Sequence, residues 1–315
     1  MTPILATLLL TLVALVAPVA AAAQGYPTKP VEMIVPFPAG GRTDIIARQW
    51  AAVAGKHLGQ QVVVVQKVGG GGAVGSIAVM NAPADGYTIM CTTIGNQVLR
   101  PLSASVPYRY DSFAPIGQLS AATLVLAANS DRPWRNLKDL VEDAKKRPGA
   151  ITFSTPLKLL PHLTVERFAA KAGVQLKLVP QTGDAPAITA VLGGHVDMVI
   201  ASLGTVLPHL GAGTLRALGT FSDQRDAGLP DVATATEQGF PVVGAPWTGV
   251  AAPKGTPPEV LAKLRATFDA VLRDPEFVAA MQKLGEQIVP LAADAFGARW
   301  RQDHDGYESV IKALK

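Results

Sequence analysis

Pro36-Phe37-Pro38-Ala39-Gly40-Gly41-Arg42-Thr43-Asp44 is the segment whose residue types say most about chemistry. It joins a β-branched run, Val31 to Val35, to an amphipathic stretch that starts near Thr43. Where a strand feeds a helix N-terminus, open α/β sheets bind ligands. The unpaired N–H groups and the positive end of the helix dipole favour an anion there. Gly40 and Gly41 let backbone approach a ligand without a Cβ, and Asp44 is expected to cap the helix. Thr92-Thr93-Ile94-Gly95-Asn96 follows a third apolar run and would open on the same crevice. Gly69 to Gly72 looks like a phosphate loop but lacks the Gly-Lys-Ser/Thr ending, so a plain connection is expected. Catalytic groupings are harder to find. His57, His162, His195, His209 and His304 show no helix-borne zinc spacing, and there is no Gly-x-Ser-x-Gly elbow. Cys91 lies inside an apolar strand and reads as a small buried hydrophobe rather than a nucleophile. The expected chemistry is capture of a small molecule, with no reaction, no metal and no cofactor.

The elements that must position these residues alternate. Strands are expected at Val31–Val35, Gln61–Val65, Tyr87–Thr92, Leu124–Ala128, Ile151–Ser154, Gln175–Val179, Met198–Ala201 and Leu215–Thr220, with amphipathic helices between most of them. Asn136 is a plausible N-cap, and Thr256-Pro-Pro-Glu259 reads as a capping box ahead of a helical tail. Asp274-Pro275 begins another helix and the segment from Ala292 a last one. Repeated β-α-β units imply an α/β fold with mostly parallel sheets. Two such sets imply two lobes joined by short hinge strands, crossing near residues 119–126 and 240–248. Lobe one is expected to take residues 24–122 and 245–315, and lobe two residues 123–244.

Composition sets the surroundings. Ile4 to Val16 is an apolar run, followed by Pro18 and Ala20 to Ala23, which reads as a signal peptide over residues 1–23. Export to the periplasm is expected, without lipidation, because the only cysteine is Cys91. The formal net charge of +4 is scattered rather than clustered, which speaks against a nucleic-acid face. A monomer is expected.

Several segments in order resemble one family. Tyr26–Val31, Val35–Asp44, Ala84–Thr88, Leu192–Asp197, Leu229–Val232 and Ala252–Pro257 are similar to recurring elements of the solute-binding receptors of tripartite tricarboxylate transporters, the Bug receptors. The resemblance implies a type II periplasmic-binding-protein fold. It also implies capture of a small carboxylate between the lobes by backbone amides and ordered waters. Implied partners are membrane transporter subunits, or alternatively a membrane sensor. A periplasmic hydrolase is a third reading, and it would need a nucleophile–base pair in the cleft. By position, the resemblance assigns ligand contacts to Phe37, Pro38, Ala39, Gly40, Gly41 and Asp44, then to Thr93 and Asn96. In the second lobe it assigns Ser154, Thr155, the turn from Gln181 to Asp184, and Ser202.

One loop departs from the family pattern, which is small and rich in Gly and Ser at that place. Here it reads Ser154-Thr-Pro-Leu-Lys-Leu-Leu-Pro-His162. Pro156 and Pro161 remove two N–H donors. Three outcomes stay open. The leucines line the pocket for an apolar or aromatic acid whose carboxylate pairs with Lys158. Or they fold inward as core and leave Lys158 in solvent. Or carboxylate capture is weakened. Asp184 also stands where the family commonly has glycine. It either faces the cleft, repelling a dianion and welcoming an amine, or caps the following helix.

Overall fold

The computed structural model describes residues 25–157, 159–284 and 286–313. The expected signal peptide and Lys158 lie outside the described residues. The strands are β1 Val31–Val35, β2 Val62–Gln66, β3 Thr88–Thr93, β4 Phe113–Ala121, β5 Leu124–Asn129, β6 Thr152–Pro156, β7 Lys177–Gln181, β8 Met198–Ser202, β9 Leu215–Thr220, β10 Trp247–Pro253 and β11 Ile288–Ala292. The helices are α1 Arg42–Leu58, α2 Ala73–Met80, α3 Arg100–Ser103, α4 Leu137–Lys146, α5 Leu160–Ala172, α6 Asp184–Leu192, α7 Leu203–Gly211, α8 Pro258–Arg273, α9 Pro275–Lys283 and α10 Ala293–Ala313.

Two sheets result. One has the order β11-β4-β10-β3-β1-β2, the other β7-β6-β8-β5-β9. β1 pairs in parallel with β2 and β3, and β6 with β7 and β8. The remaining pairings are antiparallel, so the sheets are mixed rather than mostly parallel. In the second sheet β5, β8 and β9 were expected as strands, and only their antiparallel pairing was not; in the first sheet the strands themselves were missed. β4, β10 and β11 were not anticipated as strands, and all three pair antiparallel. β4 and β10 are buried along most of their length and their ladder is interrupted by register shifts, so neither shows a clean alternation. The parallel strands β1 to β3 are, by contrast, the half-buried or fully apolar runs that periodicity finds.

The chain leaves the first sheet at Ala121 and enters the second at Leu124; it returns to the first at Trp247. The Ala122 N–H donates to the Pro246 carbonyl, so the two crossings lie side by side. The cores are not separate. Ile34 and Met90 of the first sheet and Phe153 of the second belong to one continuous apolar cluster, which α10 joins through Phe296, Trp300 and Tyr307. The Tyr307 hydroxyl shares a buried hydrogen bond with Thr164 on α5, and Trp247 Nε1 donates to Asp303 on α10.

Helix starts follow the sequence closely in two places. Asn136 caps α4 by accepting the Asp139 N–H, and Asp274 caps α9 by accepting the Glu276 N–H. The capping box at Thr256 does not form. Pro257 is the N-cap of α8, and the Thr256 hydroxyl turns back to the Pro253 carbonyl.

Candidate functional site

Three loops converge at the C-terminal ends of β1, β2 and β3. The contact is tight enough to demand glycine at two points. Gly72 sits at φ +92°, and a Cβ there would lie 2.6 Å from Asn96 Cβ and 3.4 Å from Phe37 Cζ. A Cβ on Gly75 would lie 2.7 Å from Pro36 Cβ. Gly69 to Gly72 all have positive φ, and Gly72 packs directly against the first and third loops through Phe37 and Asn96.

The first loop exposes backbone. Pro38, Ala39, Gly40 and Gly41 are exposed, while Phe37 is half-buried against the lobe-one core. Gly41 is the N-cap of α1 and offers no side chain to its first turn. Asp44 is not the cap. It stands two residues into the helix, 2% exposed, and its carboxylate accepts the Gly40 N–H at 2.8 Å and Arg48 Nε at 3.0 Å, with Gln66 Nε2 on the other oxygen. Burial alone would raise its pKa, but the hydrogen bonds from Arg48, Gly40 and Gln66 prevail and hold it below the ordinary carboxylate value. Asp44 thus braces the loop from behind.

Asn96 is also a brace. It is fully buried, and its Oδ1 accepts the Thr93 N–H at 2.8 Å while its Nδ2 donates to Ser76 and Thr92. Its amide makes its hydrogen bonds inside the loop cluster. Thr93 is half-buried at the strand end, its hydroxyl against the same Oδ1. Burial pushes the Cys91 thiol up to about 12, so it stays protonated near neutral pH.

Sequence reasoning missed Arg42 and Glu286. Arg42, the first residue of α1, makes a two-pronged pair with Glu286 at 2.5 and 2.6 Å. The same guanidinium donates to Thr248 at 3.1 Å and Ser120 at 3.4 Å, at the inner ends of β10 and β4. Arg42 lies inside the signature loop, but Glu286 is 244 residues away and no motif marks it.

The second cluster gathers at the ends of β6, β7 and β8. Thr155 pairs with Pro180 and Pro156 with Gln181 in the ladder. Ser154 and Thr155 are fully buried. The Ser154 hydroxyl donates to the Val179 carbonyl, and Thr155 Oγ1 has no hydrogen-bond partner among the described residues. Neither presents its side chain to solvent, against expectation. Gln181 and Ser202 are half-buried at their strand ends. Asp184 does not cap α6, where Gly183 is the N-cap. Its Oδ2 reaches to the neighbouring helix start, 3.4 Å from both the Ser202 N–H and Thr205 Oγ1. It is a resident negative charge at the N-terminus of α7.

The rebuilt loop after β6 divides its leucines. Leu160 joins the core, whereas Leu157 and Leu159 are 53% and 56% exposed. His162 is buried, stacked on Phe153 at 6.1 Å and 3.3 Å from Glu166.

A pattern links the clusters. The helices that start at these strand ends, α1, α5, α6 and α7, have Gly41, Leu159, Gly183 and Ser202 as N-caps, and none of these side chains caps its helix. α4 and α9 are capped by a side chain, whereas α2, α3 and α8 are not, so the lack of a cap is not confined to these four helices. Uncapped first-turn N–H groups are anion sites in waiting. Arg42 reaches Ser120 in the first cluster and the Leu203 N–H donates to Thr123 in the second. Ser120 and Thr123 are three residues apart, at most about 11 Å of chain. The two clusters therefore border one crossing.

Comparison with known proteins agrees with this geometry. BugT of Bordetella pertussis is 35% identical over 277 residues, covering 86% of this chain and 85% of that protein. A solved TctC solute-binding protein from Polaromonas, without ligand, superposes with a TM-score of 0.87 at 30% identity, over 91% of this chain and 99% of that one. An R. palustris protein solved with adipate superposes with a TM-score of 0.64 at 29% identity, over 91% and 97% of the two chains. The fold is the two-lobe type II arrangement of these binding proteins, built here on mixed sheets. The model of the tripartite tricarboxylate transporter family receptors matches residues 46–313, and the chain belongs to that family of solute-binding receptors.

Proposed function

We propose that this chain is an exported receptor that captures a small carboxylate with an apolar or aromatic body, performs no chemistry on it, and presents it to membrane transporter subunits. The carrying observation is the exposure of Leu157 and Leu159 at the end of β6, taken with the exposed backbone of the loop after β1 and the uncapped α1. An acid group suits the amides and dipole of α1, and an apolar body suits the leucines. Asp184 already supplies negative charge beside α7, so the acid group belongs to the lobe-one side. Adipate, held by the R. palustris neighbour, carries its acid groups on an apolar chain, which supports the pairing of an acid with an apolar body. Among the contacts named from sequence, Pro38, Ala39, Gly40, Gly41, Thr93 and Ser202 keep a place at the ligand in this reading; Asp44 and Asn96 hold the loops that do. Lobe one takes residues 24–122 and 245–315 and lobe two 123–244, supported by the change of sheet between Ala121 and Leu124. Among the described residues no helix is long and apolar enough to cross a membrane.

The test is a thermal-shift screen followed by calorimetric titration of the mature chain with adipate, hexanoate, benzoate and citrate. Binding raises the melting temperature through linkage. At least one of the first three acids should shift the melt, and citrate should bind more weakly. A melt shifted only by uncharged or cationic compounds sinks the carboxylate reading.

A further inference from the structure

Arg42 is the first residue of α1, so its own N–H is one of the donors left uncapped at that helix end. Its charge stands one side-chain length from them. Nε and Nη2 meet the two oxygens of Glu286 at 2.5 and 2.6 Å, and Nη1 donates to Thr248 at 3.1 Å. Thr248 and Ser120 beneath the guanidinium are fully buried, yet the Arg42 side chain is 36% exposed and that of Glu286 16%. The pair therefore keeps an outer side open to water, where an arriving ion feels it.

Glu286 is held on both sides along the chain. Its N–H donates to the Met281 carbonyl at 2.9 Å, and Gln287 Nε2 donates to buried Asp226 at 2.8 Å. So anchored, its carboxylate is a fixed counter-charge to Arg42 and not an arm that a ligand displaces. Around the start of α1, Arg42 and Arg48 are cancelled by Glu286 and Asp44, one for one. One acid group can still be met there by N–H groups and the helix dipole. A second acid group finds no uncancelled cation on this side, and Asp184 adds negative charge beside α7 on the other. Stripped of water without a partner, it costs affinity. Freed of Glu286, Arg42 would offer the planar fork that matches a carboxylate.

We infer, on the carboxylate reading proposed above, that Glu286 is the specificity-determining residue for ligand charge: paired with Arg42, it makes the site select acids with one carboxylate over acids with two. A mere tie between α1 and the linker before β11 would treat both kinds of acid alike.

The experiment titrates the mature chain calorimetrically with hexanoate against adipate and benzoate against terephthalate, pairs that differ by one carboxylate. Parent, Glu286→Gln, Arg42→Gln and the double variant are compared at low and high salt, with circular dichroism recorded for each. Glutamine at position 286 keeps an acceptor for Arg42 and removes only the charge. The parent should prefer the monoacid of each pair. Glu286→Gln should raise the diacid-to-monoacid affinity ratio about tenfold, Arg42→Gln should lower it, and the double variant should return to within about threefold of the parent. High salt should shrink both shifts, because the pair is partly exposed. If Arg42→Gln does not fold, the ratio in Glu286→Gln decides alone. A parent that prefers the diacids, or a ratio that Glu286→Gln leaves within about threefold of the parent, overturns the charge role and leaves the carboxylate reading standing. Binding of no acid by the parent or any variant removes the carboxylate reading and the role of Glu286 with it.

Discussion

The loop after β1 and the loop after β6 hold equivalent places, each at the C-terminal end of a parallel strand and each opening a helix. Their construction is opposite. The first keeps bare backbone outward and places its strong polar contacts behind, in Asp44, Gln66 and Arg48. The second buries its small polar residues, Ser154 and Thr155, and turns Leu157 and Leu159 outward. In the function proposed here, that difference would divide anion recognition and shape recognition between the lobes. A loop that must aim N–H groups has to be held rigidly from behind. A loop that supplies apolar surface needs only to exclude water. Substitutions should therefore cost stability in the first loop and affinity in the second.

The most damaging expected change lies under the first loop. Gly72→Val adds a β-branched side chain at φ +92° and drives it into Asn96. Strain and overpacking together should remove about 3 kcal/mol, read as a lower urea midpoint at constant slope. A loss within about 0.5 kcal/mol breaks the picture of a braced loop.

Asp44→Ala comes next. It strands the Gly40 N–H and the Gln66 amide, at a cost of about 2–3 kcal/mol. The parent protein should show the matching pH dependence. Because the folded pKa of Asp44 is depressed, its stabilisation is full above the ordinary carboxylate range, about pH 4, and is lost as pH falls through the folded value. Denaturation curves of parent and Asp44→Ala should converge as the medium is acidified. Parallel curves down to the lowest accessible pH contradict the role given to this carboxylate.

The paired substitution Leu157→Ser with Leu159→Ser inverts the outcome. Both side chains are more than half exposed, so stability should stay within about 0.5 kcal/mol. Affinity for the best acid should fall about tenfold, near 1.4 kcal/mol, through lost apolar contact. Unchanged affinity would remove the second loop from the site. The smallest effect is expected at Cys91, which should not react with a thiol reagent near pH 8 in the folded protein and should react fully in denaturant. Rapid native labelling shows that the strand beneath the first loop opens readily.

Legibility varied with the range of the interaction. Val31–Val35 and Leu215–Thr220 stand where local periodicity puts them, and Asn136 and Asp274 cap their helices as their residue type suggests. These depend on neighbours a few positions away. The antiparallel strands β4, β10 and β11 depend on partners from distant parts of the chain and left no local period. The side-chain directions of Asn96 and Asp184 were not legible, because a polar side chain near a strand end can turn inward or outward with the same sequence around it.

By itself the sequence determined the α/β plan, the anion-friendly βα loop at residues 36–44 and the family resemblance, since strand period, helix caps and glycine turns are local matters. Only the tertiary structure decided that Asp44 and Asn96 brace their loops, and that Asp184 reaches α7 and does not cap α6. It alone also tied Arg42 to Glu286 and turned Leu157 and Leu159 outward. Those outcomes depend on which buried donors and acceptors meet across the fold, and a polar group is committed only when its partner arrives.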